Sequence, residues 1–145
     1  MAFLESLDIS SSALTAQRLR MDVISENIAN IDTTRTAEGE PYRRRYVLFQ
    51  QQDAKPFSEF LNNSISGTAG TGVKVSEIAE DQSAFKLKYD PTHPDADEYG
   101  YVQMPNVDLV TEMVDMMSAT RSYEANITAV NATKSMAMAA MEIGK

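Results

Sequence analysis

The chain has 145 residues, which is enough for one domain with its own hydrophobic core. Its formal net charge of −8 argues against nucleic acid as a partner, because such binding depends on Lys and Arg side chains that neutralise phosphates. The sequence contains no cysteine, which excludes disulfides, thiolate catalysis and Cys-ligated metals.

The N-terminal region begins with a stripe of residues spaced by three and four, which predicts a helix with one narrow seam, as in a coiled coil. Ser and Thr side chains at positions 10–12 and 15 compete with the backbone for hydrogen bonds. We therefore expect this helix to be only marginally stable without a partner. It should end within residues 30–33, where the sequence favours turns. Six of the eight stripe positions are apolar: Leu7, Ser10, Leu14, Gln17, Met21, Ile24, Ile28 and Ile31.

The first residues lack a basic segment and a continuous apolar core, so no ordinary secretory signal peptide is expected. No segment approaches the roughly 18 consecutive apolar residues of a membrane-spanning helix. From these features alone, the chain would be read as a cytoplasmic protein.

The middle of the chain has the composition of β-structure. Strands are predicted within residues 42–52, 73–75, 85–89 and 99–104. Apolar and charged residues alternate at 85–89, which is typical of a half-buried strand. Residues 66–72 are predicted to form a flexible loop, and residues 90–100 a turn-rich connection.

The C-terminal region carries the longer stripe, in which steps of four and three alternate strictly. It predicts a helix over residues 107–143, with Asn106 as its N-cap and Asp108 near the positive end of its dipole. Such a helix would be roughly 55 Å long, so part of it must pack on the N-terminal helix, on neighbouring subunits, or on both. Eight of the ten stripe positions are apolar: Leu109, Met113, Met116, Thr120, Tyr123, Ile127, Val130, Lys134, Ala137 and Met141.

Methionine is concentrated in this last segment. Met117, Met136 and Met138 lie off the stripe and widen its apolar surface. An ordinary helix core would account for the methionines on the stripe. Flexible thioethers outside it favour packing against several non-identical neighbours.

Two further clusters have both a functional and a structural interpretation. The first is a cluster of possible metal ligands: Asp90, His93, Asp95, Asp97 and Glu98. Counted from Asp95, this segment partly mimics a calcium-binding loop. Position five is a tyrosine, however, and position twelve is Asn106, so the bidentate carboxylate ligand is missing. A solvated turn is the favoured interpretation.

The basic run of residues 43–45 is too short and too isolated for nucleic-acid binding, so a solvated face or salt bridges to acidic neighbours are favoured. No nucleophile stands beside a base, and we predict no enzyme activity, no cofactor, no metal and no small-molecule substrate.

Several motifs resemble a known family. Residues 12–20 and 24–34, the latter beginning Ile-Ser-Glu-Asn-Ile-Ala-Asn, resemble the N-terminal signature of the bacterial flagellar axial proteins of the rod and hook. Residues 100–108, with 112–114 and 117–126 after them, resemble the proximal rod proteins of the flagellar basal body. A Pro-Tyr-Arg motif at 41–43 and a Gly-Val-Lys-Val motif at 72–75 extend the resemblance over most of the chain.

The resemblance implies a structural subunit that leaves the cytoplasm through the flagellar type III export gate and not by a cleaved secretory signal. It implies polymerisation into a helical tube that crosses the periplasm, transmits torque from motor to hook and conducts exported proteins. The implied partners are other copies of the chain, other rod subunits, and the hook–basal body adaptor and export gate proteins. Two alternatives stay open: another axial rod subunit, or a small metal-binding module that uses residues 90–98.

We therefore predict an α+β fold in which long N- and C-terminal helices form an antiparallel coiled coil around a small β-rich middle. The predicted domains are residues 1–33, for axial assembly and export, residues 34–105, the middle domain, and residues 106–145, the long C-terminal helix. The predicted assembly interface consists of Leu14, Met21, Ile24, Ile28, Asn30, Met113, Met116, Tyr123, Ile127, Val130 and Met141.

Overall fold

The computed structural model describes residues 2–52 and 72–143, in which two long helices flank four short strands. The α+β class predicted from the sequence is confirmed, whereas the coiled-coil packing of the helices stays a prediction. The predicted loop at 66–72 lies outside the described residues except for Gly72. In chain order the elements are α1 (Ala2–Ala29), β1 (Arg45–Gln51), β2 (Val73–Glu80), β3 (Lys86–Tyr89), β4 (Tyr101–Met104) and α2 (Leu109–Ile143).

Helix α1 ends at Ala29, as the turn-favouring sequence after it predicts. The Glu26 carbonyl accepts both the Asn30 backbone N–H at 3.1 Å and the Asn30 side-chain amide at 2.9 Å, so two bonds hold the end of the helix. The hydroxyls of Ser12 and Thr15 donate to carbonyls three and four residues earlier, so these weak helix formers bond within the helix. Within the described residues, neither helix is long and apolar enough to cross a membrane.

The chain divides into two compact units, each built from separate stretches of sequence. Unit 1 comprises Met1–Leu19, Leu48–Glu77 and Thr120–Lys145, and unit 2 comprises Arg20–Val47 and Ile78–Ala119. Unit 2 holds most of the buried apolar side chains, namely Val23, Ile24, Tyr42, Val102, Val107 and Ala119. Burying a valine contributes about 1.5 kcal/mol or more, so this small core is where unit 2 gains its hydrophobic stabilisation. The three-domain division of the sequence stays a prediction.

The strands form two two-stranded sheets, β1 with β2 and β3 with β4. In the antiparallel β3–β4 pair, Leu87 is opposite Gln103 and Lys88 is opposite Val102. Opposite residues share a face. Val102 is 1% exposed, whereas Leu87 on the other face is 67% exposed.

The prediction of a half-buried strand at 85–89 is therefore wrong, because all four residues of β3 are exposed. A lysine–backbone contact explains the orientation of the strand. Lys86 shares the face of Val102, and its ammonium group donates to the Val107 carbonyl at 2.8 Å. The strand thus places its lysines on the face of Val102 and its apolar side chains on the other face.

Helix α2 begins at Leu109, two residues later than predicted, and Asp108 is its N-cap. The Asp108 carboxylate accepts the Thr111 backbone N–H at 3.0 Å, and this bond, together with Lys86, holds the pKa of Asp108 below its usual range. The prediction that Asn106 is the N-cap is wrong. Its side chain is used elsewhere, as an acceptor for the Arg44 backbone N–H at 2.8 Å.

In unit 1, α1 meets the first residues of β2 at a glycine. The Ser12 hydroxyl oxygen accepts the Val73 backbone N–H at 3.1 Å. Gly72 has a φ of +110°, and a Cβ built there would lie 2.5 Å from that same oxygen. Gly72 is therefore required both by its backbone conformation and by the close approach of Ser12.

We predict that Gly72→Ala lowers the free energy of unfolding by about 2 kcal/mol, since it adds a steric clash to backbone strain. The matched control is Gly39→Ala. Gly39 has a φ of +87°, but a Cβ there would meet nothing within 4 Å, so only the strain should be felt. Denaturant unfolding of the two purified variants gives the comparison, and equal losses would mean that the approach of Ser12 does not constrain residue 72.

Candidate assembly interface

No position of the predicted N-terminal stripe is exposed in the single chain. Ile24 is buried, and Leu14, Met21, Ile28 and Asn30 are half-buried. Asn30 also accepts a hydrogen bond from the Thr33 hydroxyl at 3.1 Å, so it stabilises the turn after α1. The helical period read from the sequence therefore matches the less exposed side of α1.

The predicted C-terminal stripe is divided between two environments. Met116, Tyr123 and Val130 are half-buried, whereas Met113, Ile127 and Met141 are exposed. The role of all these residues in assembly stays a prediction. The least exposed positions of α2 include a run that also steps by four and three but differs at every second position: Glu112, Met116, Ala119, Tyr123, Asn126, Val130, Thr133 and Ala137.

A fully buried carboxylate lies at the start of this run. Glu112 is 0% exposed, and each of its oxygens has a donor. The Arg44 guanidinium donates to Oε1 at 2.6 Å, and the Asn27 amide donates to Oε2 at 3.0 Å. Because a buried charge without partners is very costly, these two contacts are what permits an acid on the inner side of α2.

Asn27 is also a fully buried polar residue, and both the nitrogen and the oxygen of its side-chain amide form hydrogen bonds. Its Nδ2 also donates to the Arg45 carbonyl at 2.8 Å, and its Oδ1 accepts the Arg45 backbone N–H at 3.0 Å. The same Oδ1 accepts the Tyr42 hydroxyl at 3.0 Å. The last turns of α1 are thereby bonded to the start of β1.

Ion pairs extend this junction along the helices. The Arg44 guanidinium also contacts Asp115 at 3.2 Å, and Arg20 contacts the other oxygen of Asp115 at 3.1 Å. Arg20 belongs to α1 and Asp115 to α2, so within unit 2 the two helices are joined by charged side chains. We call Arg20, Asn27, Tyr42, Arg44, Glu112 and Asp115 the polar junction.

Asn106 connects the segment after β2 to the polar junction through hydrogen bonds. In addition to the Arg44 backbone contact, its Nδ2 donates to the Asp81 carbonyl and to the Ser83 hydroxyl, both at 2.9 Å. The Asp81 backbone N–H in turn donates to the Arg44 carbonyl at 2.8 Å. One amide side chain thus holds together the segments before β1, after β2 and before α2.

The arginine run forms salt bridges with acidic neighbours, which confirms that interpretation. Arg45 pairs with Glu26 at 3.0 Å and with Glu80 at 3.5 Å. Arg43 lies over the ring of Phe85, 4.3 Å from its centroid. With Arg44 in the polar junction, each of the three guanidinium groups has a specific partner.

The acidic residues of the 90–98 loop organise turns. Asp90 accepts the hydroxyl and the backbone N–H of Thr92, which lowers the pKa of Asp90. Asp97 accepts the backbone N–H groups of Tyr99 and Tyr101, and Asp95 pairs with Arg35 at 3.1 Å. Within residues 2–52 and 72–143, no group of three His, Asp or Glu side chains could hold a metal ion.

An open groove of about 440 Å³ lies beside this loop within unit 2. It is bordered by Arg35, Arg43, Phe85 and Asp95. Its lining also includes Thr34, whose hydroxyl donates to the Asp95 carboxylate at 2.9 Å.

Sequence reasoning missed the polar junction because it followed apolar residues only. Asn27 and Glu112 each lie on the less exposed side of their helix but off the apolar stripe predicted from the sequence. A signal for the junction was nevertheless present in the sequence. Asn27 and Glu112 each place a polar group on a predicted helix, and the arginine run of residues 43–45 needs acidic partners.

Family comparisons identify the class of protein. Residues 7–35 match the family of flagella basal body rod proteins, and residues 99–143 match the C-terminal family of the flagellar basal body rod proteins FlgEFG. The chain is therefore a rod protein of the flagellar basal body by family.

Curated relatives make the assignment more specific. The chain is 60% identical to the flagellar basal-body rod protein FlgC of Bacillus subtilis, with 100% of both chains covered. It is 49% identical to FlgC of Borreliella burgdorferi, over 99% of this chain and 98% of the relative, and 46% identical to FlgC of Salmonella typhimurium, with both chains fully covered. The chain belongs to the FlgC family of flagellar basal-body rod proteins, which confirms the resemblance found in the sequence.

We predict that Glu112→Ala lowers the free energy of unfolding by about 3 kcal/mol, because it leaves the Arg44 guanidinium and the Asn27 amide short of an acceptor inside unit 2. Glu98→Ala removes an acid from an exposed position of the same unit and should change stability by less than about 0.5 kcal/mol. Urea unfolding followed by circular dichroism measures both. Similar small losses would show that the junction does not stabilise the fold.

A second prediction concerns alkaline pH. Burial, reinforced by the nearby Glu26 carboxylate, raises the pKa of Tyr42 to about 12. Because the pKa is higher in the folded state than in the unfolded state, the contribution of Tyr42 to stability is complete below about pH 10 and is lost as the pH rises toward 12. Between these pH values, stability should therefore fall more steeply for the natural chain than for Tyr42→Phe. Parallel stability curves would contradict a protonated, buried Tyr42.

Proposed function

We propose that this chain is a structural subunit of the proximal rod of the flagellar basal body. In this proposal it polymerises with other copies of itself and with other rod subunits into a hollow shaft. The observation that carries the proposal is the identity to FlgC rod proteins over the full length of both chains. The long helices at both ends, with exposed apolar residues on α2, support a protein that functions by assembly.

The shaft would transmit torque from the motor to the hook, and the polar junction is suited to that load. Within unit 2 it joins α1 to α2 through Arg20–Asp115 and Arg44–Glu112 and joins both to the start of β1. Charge-assisted hydrogen bonds have defined directions, so they resist sliding of one helix along the other better than apolar contacts alone. No catalytic role is part of the proposal, since the family is one of rod proteins.

We further propose that the subunit crosses the inner membrane through the flagellar type III export gate, without a cleaved secretory signal, and reaches the rod within the periplasm. The N-terminal segment would carry export information as well as assembly contacts. In this proposal the terminal helices contact neighbouring subunits, while the hook–basal body adaptor and the export gate proteins are partners at the base of the shaft.

Another axial rod subunit is the second candidate. The match of residues 99–143 to a family shared by the rod proteins FlgEFG favours it, because that region is common to several axial proteins. The full coverage of FlgC relatives favours the proximal rod instead. A density map of purified basal bodies distinguishes the two: the proximal-rod proposal expects this chain between the export apparatus and the distal rod.

We predict that Ile127→Asp produces an exported subunit that fails to enter the rod, giving non-motile cells without hooks. Ile127 lies on the predicted assembly stripe and is exposed in the single chain, so the charge would be buried only in an interface. Ala129→Asp places the same charge on an exposed position outside the stripe and should leave swimming intact. Normal swimming and intact rods in Ile127→Asp cells would remove this stripe from the interface.

A further inference from the structure

The first turns of α2 reverse the usual arrangement of a surface helix, because acidic side chains face inward and apolar side chains face solvent. Glu112 is buried and Asp115 is half-buried within the polar junction. Five apolar side chains 43–70% exposed recur on the opposite side at spacings of one, three and four residues, which places them together. We call them the α2 face: Leu109, Val110, Met113, Val114 and Met117.

The β3–β4 pair is inverted in the same way. Its outer face presents Leu87, Tyr89 and Tyr101, and the two tyrosine rings pack edge to face with their centroids 5.3 Å apart. Tyr99, which closely precedes β4, is 79% exposed. We call Leu87, Tyr89, Tyr99 and Tyr101 the tyrosine face, and both it and the α2 face belong to unit 2.

The size of the α2 face indicates the kind of contact it makes. At these exposures its five side chains present roughly 500 Å² of mostly apolar surface, near the upper end of what monomeric proteins leave open. A standard stable interface buries about 800 Å² on each partner. One such contact is therefore too small to hold a stable dimer in solution, and it would persist only in an assembly that adds further contacts.

We propose that the α2 face of one copy docks on the tyrosine face of the next copy of this chain. This inference rests on the proposed function and names the contact between like subunits. The α2 face supplies thioethers and branched aliphatic groups, and the other face supplies aromatic rings, a combination with favourable sulfur–aromatic contacts. None of the nine side chains is charged, so the contact avoids bringing together the acidic surfaces of a chain with a net charge of −8.

The contact uses two different patches of one unit, and this determines the symmetry. A head-to-tail contact between unlike patches can repeat from copy to copy, whereas a contact of α2 with α2 would close as a two-fold dimer. A repeating contact is what a rod subunit requires.

The absence of cysteine from the chain allows a direct test by cross-linking. Cells lacking the natural protein would express two differently tagged variants together, Val114→Cys on the α2 face and Leu87→Cys on the tyrosine face. Purified basal bodies would be treated with a short bifunctional maleimide and blotted for both tags. Both positions are exposed in the single chain, so neither change disturbs the core, and circular dichroism of each purified variant checks this.

We expect a cross-linked dimer carrying both tags in the mixed strain and none in strains with either variant alone. Glu38→Cys, at an exposed loop position of unit 2, replaces Leu87→Cys in the control strain and should give no dimer with Val114→Cys. A dimer from Val114→Cys alone would overturn the head-to-tail contact in favour of a two-fold one. If both variants are present in basal bodies but no mixed dimer forms, the inference is wrong while the proposed function stands; if neither is present in basal bodies, the proposed function fails and the inference with it.

Discussion

A carboxylate that is fully removed from water needs a donor at each oxygen, and Glu112 obtains its donors from segments far apart in the sequence. Asn27 comes from the last turns of α1, and Arg44 comes from the segment just before β1. Unit 2 cannot form with only one of these segments in place, because the acid on α2 would then be left partly unpaired at a cost of several kcal/mol. The junction therefore makes the folding of the α1 end, the β1 start and the α2 start dependent on one another.

The same constraint explains why apolar side chains are exposed on the surface of unit 2. The first turns of α2 direct Glu112 and Asp115 inward, so the apolar residues on the opposite side of the helix, such as Val110 and Val114, lie outside. In β3, Lys86 bonds to the carbonyl before α2, and the pleat then turns Leu87 and Tyr89 outward. A monomer that satisfies its buried charges in this way leaves apolar surface for other chains to cover.

The positions of the helices and strands could be predicted from local sequence. Which side of each element packs against the rest of the chain could not be predicted in every case. Both helices and all four strands lie where period and turn residues indicate, because those signals act over a few neighbouring residues. The Asn106 cap and the burial of β3 were predicted wrongly. In each case a contact with a distant segment, Arg44 for Asn106 and the α2 start for Lys86, outweighed the local preference. Asn27 and Glu112 carry no local signal, since each lies off the apolar stripe predicted for its helix and its burial depends on partners from distant segments.

Two lines of residues run side by side along α2: the apolar stripe predicted from the sequence and the run of less exposed positions. The stripe predicted from apolar residues includes Met113 and Ile127, whereas the less exposed positions include Glu112 and Asn126, one residue earlier in each case. The two runs have the same period and share Met116, Tyr123 and Val130, so they are neighbouring lines on the helix surface. One line is less exposed within the single chain, and the other keeps Leu109, Met113, Ile127 and Met141 exposed. An intramolecular contact and an intermolecular contact can then use adjacent sides of α2, with Met116, Tyr123 and Val130 at the boundary between them.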